Sequence, residues 1–232
     1  MIEIVPTGND EVDRHLGGGL PLPILMLMEG KSGSGKSVLS AQFMKGFLDK
    51  GMRVMLFTDN SIKNYIEKMS VITFDFTKYF LNGQLRIVPM LAYGNFWSKE
   101  QSNYMLPVVS QFIKMQCKQY DVVVIDPLSL LFMYADTDSI LNFFTNCKHV
   151  VGTGTSMILT MGQDVVSQDI SLQIKSSCDA NVELTTGQMG NRQFRVFNII
   201  KFLGAIKPVS KFSFDVTTQF GIKIVPLSAA QG

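Results

Sequence analysis

Gly30, Lys31, Ser32, Gly33, Ser34, Gly35, Lys36 and Ser37 follow one another between an apolar segment, Ile24 to Met28, and a helical stretch that begins near Val38. This is a complete G-x-x-x-x-G-K-[ST] phosphate loop in its strand, loop, helix setting. The glycines let the backbone curl so that successive N–H groups converge on phosphate oxygens at the positive end of the following helix. Lys36 is expected to reach the β- and γ-phosphates, and Ser37 to offer its hydroxyl to Mg²⁺, an ion that keeps several waters and takes few protein ligands. A Gly/Ser turn before a helix is the bland alternative, and the order of the three elements argues against it.

A nucleotide site of this class also needs a metal-side carboxylate at the end of a neighbouring buried strand. Asp126 meets that requirement at the end of Val122-Val-Val-Ile125. An acid or amide must then orient an attacking water. Asp59 follows the strand Arg53 to Phe57 and is the candidate, its alternative being a capping group for a helix that starts near Ser61. Gln163, just beyond the apolar run Ser156 to Met161, is a candidate phosphate sensor or, equally, a solvated loop amide.

The elements that must position these groups alternate along the chain. Strands are expected at 24 to 29, 53 to 58, 85 to 89, 121 to 125 and 156 to 161, with helices at 37 to 50, 61 to 69, 100 to 118 and 138 to 150. Continuous apolar runs belong to strands covered on both faces, and their alternation with helices implies a mostly parallel sheet. Pro107 should kink the 100 to 118 helix or delay its start. From about residue 180 short strands at 181 to 186, 192 to 202, 211 to 217 and 220 to 226 replace the alternation. Turn signals at Gly187 to Asn191 and at Gln219 to Gly221 make them antiparallel hairpins that extend the sheet. Ser228 to Gly232 look disordered.

Hydrophobic content of 46% against 17% charged residues excludes a disordered chain, and 232 residues suffice for one α/β domain over 1–232 with a large core. No long uncharged apolar run could span a bilayer, and the first residues lack the basic start and apolar core of a secretory signal, so a cytoplasmic protein is expected. A net charge of +2 offers nucleic acid little attraction. Cys117, Cys147 and Cys178 lack a C-x-x-C pair and read as buried thiols, and His15 and His149 stand isolated. The 14 methionines read mostly as core, with adaptable partner contacts as the alternative for some.

Thr7-Gly8, Asp13 and Leu16-Gly17-Gly18-Gly19-Leu20-Pro21, followed by the phosphate loop, resemble the T-G…L-D-x-x-L-G-G-G-[IL]-P opening of KaiC-type RecA-like ATPases. The match runs through Asp126 to the terminal hairpins. Within that superfamily, chain length, the segment Phe80 to Ile87 and the altered acid after the second core strand resemble the FlaH (ArlH) family of the archaeal flagellar, or archaellum, motor. The resemblance implies an α/β RecA-like fold, binding of ATP with Mg²⁺, and assembly into a homo-oligomeric, hexameric ring. It also implies docking on the secretion-type motor ATPase FlaI and the membrane-anchored scaffold FlaX, hence recruitment to the cytoplasmic face of the membrane without insertion.

Two departures from the KaiC pattern bear on turnover. Active relatives place a Glu-Glu pair where this chain has Asp59 and Asn60; the shorter acid stands back from a water positioned for Glu, and misplacement of about an ångström can cost ~100-fold in rate. Active relatives also carry a Lys-x-Arg that reaches a neighbouring subunit's γ-phosphate. Here Lys201 is kept and Leu203 replaces the Arg. Lys201 is accordingly a candidate trans-acting group, its alternative being a solvated strand-end charge. Slow or absent hydrolysis follows, so ATP binding would serve assembly and regulation. An active KaiC-like ATPase or autokinase is the alternative. A RecA-type DNA-binding recombinase is disfavoured by the apolar segment Leu128 to Tyr134, which stands where a basic or Gly-rich loop would be expected.

Overall fold

The computed structural model describes residues 2–90, 99–189 and 192–225. Its strands are β1 (Glu3–Val5), β2 (Leu20–Leu22), β3 (Leu25–Gly30), β4 (Val54–Thr58), β5 (Leu85–Pro89), β6 (Val122–Asp126), β7 (Ser156–Met161), β8 (Ala180–Met189), β9 (Arg192–Phe202), β10 (Lys211–Thr217) and β11 (Gly221–Val225). Its helices are α1 (Asp10–Leu16), α2 (Lys36–Asp49), α3 (Ile62–Ser70), α4 (Thr77–Leu81), α5 (Lys99–Gln116), α6 (Ser129–Phe132), α7 (Thr137–Gly152) and α8 (Gln168–Ser177). Strands β1 and β2 pair with each other; the others form a nine-stranded sheet in the order β11-β10-β9-β8-β3-β7-β6-β4-β5.

From β8 to β5 all neighbours in the sheet are parallel, and β9, β10 and β11 extend it antiparallel. The architecture is the expected RecA-like α/β fold. Strand side chains alternate between two apolar layers: Met26, Met28, Val122, Val124 and Ile158 enter one, with α1 to α4. Leu25, Leu27, Val123, Ile125 and Leu159 enter the other, with α5 to α8. Burial on both faces is why these strands read as unbroken apolar runs. Met26, Met28, Met44, Met55, Met157 and Met161 are core, whereas Met115 and Met133 are exposed.

The opening motif has a structural explanation. Asn9 caps α1, its Oδ1 accepting from the backbone of Glu11 (3.1 Å) and Val12 (3.2 Å), and Gly17 closes the helix at φ 80°. The buried Asp13 carboxylate accepts from the Thr7 backbone N–H at 2.7 Å, and the Thr7 carbonyl accepts from the Gln42 amide of α2 at 2.8 Å. That chain of bonds fixes the amino-terminal segment against the helix that carries the phosphate loop.

Several expectations need correction. Helix α5 passes through Pro107 rather than beginning after it. Pro107 faces solvent, so water can take over the hydrogen bond that the Asn103 carbonyl loses. Strand β8 runs on to Met189, past the expected end at 186, because the Phe194 ring covers Gly187 across the pair; Gly190 and Asn191 of the expected turn lie outside the described residues. Ser228 to Gly232 also lie outside them. Helices α4, α6 and α8 and the β1–β2 pair had no counterpart in the sequence reading. Only Ile174 of α8 is buried, which leaves no apolar period to detect.

Asn9 also donates from Nδ2 to the Ile222 carbonyl of β11 at 2.9 Å, tying the first helix to the last strand. Asn9→Ala should cost about 1–2 kcal/mol through loss of the cap and this bond, measured as a lower midpoint in chemical denaturation. Asn9→Asp, which keeps the capping oxygen, should lose less.

Candidate functional site

The parallel register brings the carboxyl ends of β3, β6 and β4 to one edge of the sheet. There Asp126 pairs with Thr58 of β4, and the chain leaves β3 at Gly30 to form the loop before α2. The loop turns through Gly33 at φ 79° and Gly35 at φ 94°, left-handed conformations that a side chain would strain. A methyl group at Gly35 would also lie 2.9 Å from Arg195 Cδ and 3.1 Å from the Phe214 ring.

Above this edge lies a cavity of about 500 Å³, within the range of small-molecule sites. Ser32, Gly33, Gly35, Lys36, Ser37 and Val38, from the loop and the start of α2, line it. Asp126 of β6, Asp59 and Asn60 after β4, Tyr65 of α3, Gly162 after β7 and Arg195 of β9 are also in the lining. The expected phosphate loop, Asp126 and Asp59 are therefore brought together.

Lys36 Nζ donates to the loop carbonyls of Gly30 (2.6 Å) and Lys31 (2.9 Å). Burial lowers the lysine's pKa and the nearby Asp126 opposes that shift, so the ammonium is held close to a carboxylate. Asp126 is buried and accepts hydrogen bonds from the hydroxyls of Thr160 and Ser37. Burial nevertheless raises its pKa above the ordinary carboxylate range, the neighbouring Asp59 adds to the rise, and the two hydroxyls and Lys36 only partly offset it.

Asp59 does not cap α3, because Ser61 does so, its Oγ accepting from the Asn64 backbone at 3.3 Å. The Asp59 carboxylate is exposed at the cavity wall and accepts from Asn60 Nδ2 at 2.6 Å. Gln163 is placed differently from the sensor expectation. Its amide donates to Glu183 of β8 at 3.2 Å and lines a neighbouring polar cavity with Glu29 and Lys175, leaving Gly162 at the phosphate-loop cavity.

Lys201 lies at the other end of the sheet, where β9 pairs with the start of β8. Its Nζ donates to the carbonyls of Ser176 (3.2 Å) and Cys178 (2.6 Å) at the carboxyl end of α8, where a cation complements the helix dipole. It is thus not merely a solvated charge. Arg195 was missed: six residues earlier on β9, it pairs with Thr186 and its guanidinium is held 3.1 Å from Asp215 Oδ1. The signal was present in the hairpin register, since a strand that returns from a turn beside the loop delivers its first residues, not its last, to the cavity.

The residues present suit a magnesium-bound nucleotide. Among the described residues, Ser34 Oγ of the loop and the hydroxyl of the cavity-lining Tyr65 are buried without hydrogen-bond partners, and the left-handed glycines leave backbone room for phosphates. Ser37 and Asp126 supply oxygen donors of the kind Mg²⁺ prefers. Cys117, Cys147 and Cys178 are buried elsewhere, with burial pushing the Cys178 thiol up to about 12.

The raised pKa of Asp126 has a consequence for stability. Its folded form prefers the neutral acid, so ionisation opposes folding; the penalty is absent below the ordinary value of 3.8 and grows as pH rises through the higher folded value. Without nucleotide, Asp126→Asn should therefore melt a few degrees above the native chain at neutral pH, with the gap closing as the pH falls. Thermal denaturation across pH tests this, and an unchanged or lower melting temperature at neutral pH would count against it.

A model of the KaiC ATPase family matches residues 5–229. The chain is 36% identical over 230 residues to the archaeal flagellar ATP-binding protein FlaH of Sulfolobus acidocaldarius, covering 98% of this chain and 99% of that one. It is 23% identical to the protein of the same name from Methanococcus voltae, over 95% and 96% of the two chains. Among solved structures, flagellar accessory protein FlaH of Methanocaldococcus jannaschii superposes with a TM-score of 0.82 at 21% identity, over 97% of this chain and 99% of that one. A KaiC-like protein of Pyrococcus horikoshii gives 0.76 at 20% identity, over 97% and 100% of the chains. A RecA-like sheet with the phosphate loop at its carboxyl edge, together with similarity along nearly the whole chain, places this protein in the KaiC ATPase family and, within it, in the FlaH family.

Proposed function

We propose that this chain is an ATP-binding component of the archaeal flagellum motor, a single domain over residues 1–232 whose nucleotide governs ring assembly and the docking of motor partners. The observation that carries the reading is the convergence of Lys36, Ser37 and Asp126 in the lining of a nucleotide-sized cavity, in a chain similar along its length to archaeal flagellar ATP-binding proteins. The backbone of Gly30 to Ser37 wraps the phosphates. Lys36 turns from the loop carbonyls to the terminal phosphate oxygens, and Ser37 with Asp126 holds the metal side. Bound Mg²⁺ would neutralise phosphate charge; the protein's part is to orient and desolvate.

Turnover is slow or absent. Asp59 faces the cavity as a carboxylate one methylene shorter than the Glu of active relatives, and Leu203 stands where those carry an Arg. The freedom of Asp59 from capping supports an active KaiC-like ATPase as the second reading; phosphate release well above about one per minute, a rate roughly 60-fold below the slow end of ordinary enzyme turnover, would favour it. The protein forms a homo-oligomer, a hexamer in this reading, in which Lys201 serves the adjacent subunit's phosphates. It is cytoplasmic and meets the membrane through FlaI and FlaX; among the described residues no helix is long and apolar enough to cross a bilayer.

ATP with Mg²⁺ at a hundredfold excess over its dissociation constant should stabilise the native chain by about 2.7 kcal/mol, a rise in Tm of roughly 5–10 °C. Lys36→Ala should abolish most of that rise. An equal shift in the variant would sink the site assignment.

Light scattering with and without nucleotide tests assembly. Lys201→Ala should weaken the ATP-induced shift to larger species while leaving ATP binding by the monomer nearly intact; loss of monomer binding would refute the trans role.

A further inference from the structure

Tyr65 is 1% exposed, lines the phosphate-loop cavity and carries a buried hydroxyl with no hydrogen-bond partner among the described residues. Native structures rarely leave such a group unpaired, because its desolvation is not recovered. Packing explains only the ring, which stacks on Phe76 of the helical layer with centroids 6.1 Å apart and planes inclined by 23°. Phenylalanine would serve that contact equally well. Tyr65 stands one turn beyond the Ser61 cap of α3, its backbone N–H donating to the Ser61 carbonyl at 2.9 Å, and from there it joins Asp126 in the lining of the cavity.

We propose that the Tyr65 hydroxyl is a ligand-facing group of the nucleotide site, placed to hydrogen-bond the water shell of the magnesium ion that accompanies the phosphates. The inference rests on the nucleotide reading above and deepens it. Burial first, and then the Asp126 charge, push the phenol pKa well above its usual value, so the group stays a neutral hydroxyl, both donor and acceptor. Tyr65 shares the cavity lining with Asp126 and Ser37, the residues that offer oxygens to the metal. Magnesium retains waters whose hydrogens need acceptors. Asp126 already accepts from the Thr160 and Ser37 hydroxyls, so a further oxygen is wanted there, and the phenol oxygen supplies it.

The test is Tyr65→Phe in the full chain, read by thermal unfolding without nucleotide and by calorimetric ATP titration in Mg²⁺ and, separately, in EDTA. Removing an unpaired buried hydroxyl should leave the nucleotide-free melting temperature unchanged or raise it by about 2–4 °C. In Mg²⁺ the ATP dissociation constant should rise about 5- to 10-fold, the loss of one hydrogen bond, whereas in EDTA it should equal that of the native chain.

A fall in the nucleotide-free melting temperature would mean that the hydroxyl has a partner in the protein and would overturn the proposal. So would equal affinity losses in both buffers, which would assign the hydroxyl to a phosphate oxygen, or no loss in either, which would return it to packing. Lys36→Ala, by contrast, should lose affinity in both buffers. A native chain that takes up no ATP in either buffer would overturn the nucleotide reading itself, and that failure is visible before the variant is examined.

Discussion

Parallel pairing from β8 to β5 is the constraint on which the rest of this molecule depends. Parallel strands all release their chains at the same edge, so whatever follows β3, β4 and β6 must gather there, and none of those segments can be moved without shifting register through the whole sheet. A one-residue slip would exchange the two apolar layers and place Asp126 against hydrocarbon, a cost that locks the register. The site is thus held by the same burial that holds the fold. The helices contribute by covering both faces, which keeps the strands dry enough for a carboxylate at their edge to feel strong fields.

Those fields are only partly balanced. Asp126 has two hydroxyl donors and one nearby ammonium, and a second carboxylate in Asp59 works against it. Lys36, for its part, loses more by burial than the carboxylate returns. A site in this condition favours a ligand that brings both signs of charge: phosphates for the lysine and loop amides, a cation for the carboxylate. Structural ion pairs are usually arranged to satisfy themselves, as Lys175 and Glu29 do at 2.7 Å in the adjoining cavity. The contrast between neighbouring cavities separates a binding site from a self-contained polar cluster.

How much of this was legible followed from the range of the interactions involved. The phosphate loop is a local object whose residue types, turn geometry and flanking elements all fall within about one strand, loop and helix, so Gly30 to Ser37 could be read directly. Asp126 needed one further inference, that an unbroken apolar strand ends in an acid beside the loop, and the parallel sheet made that safe. Asp59 was ambiguous because Asp, Asn and Ser all cap helices; only the position of Ser61 Oγ resolved it. Arg195 and Tyr65 depend on which residue of a strand or helix meets a distant loop. The sheet register fixes the first, and the packing of α3 on Phe76 the second. Gln163 shows the same limit: its place just after β7 was legible, but the direction of its amide, which donates to Glu183, depends on a strand 20 residues further along the chain.

Strand β9 carries two cations whose separation limits how the proposed ring could work. Arg195 and Lys201 lie six residues apart, about 20 Å along an extended strand, so one reaches its own cavity and the other the opposite edge of the sheet. A contact that joins those two edges is head-to-tail, and such contacts give rings where the rotation closes and open filaments where it does not, rather than twofold dimers. Ile200, Leu203 and Ile206 are exposed near Lys201, apolar area that this kind of contact could bury. Lys201, however, is already bonded to two carbonyls at the end of α8. To serve a neighbour's phosphates it must surrender those bonds, each worth about 1.5–3 kcal/mol when the donor is charged, although water and the new phosphate oxygens return much of that. Without a triphosphate next door the exchange has little to recommend it. Nucleotide dependence of assembly would then come from a lysine with two alternative sets of acceptors, one within the subunit and one supplied by the bound nucleotide of the next.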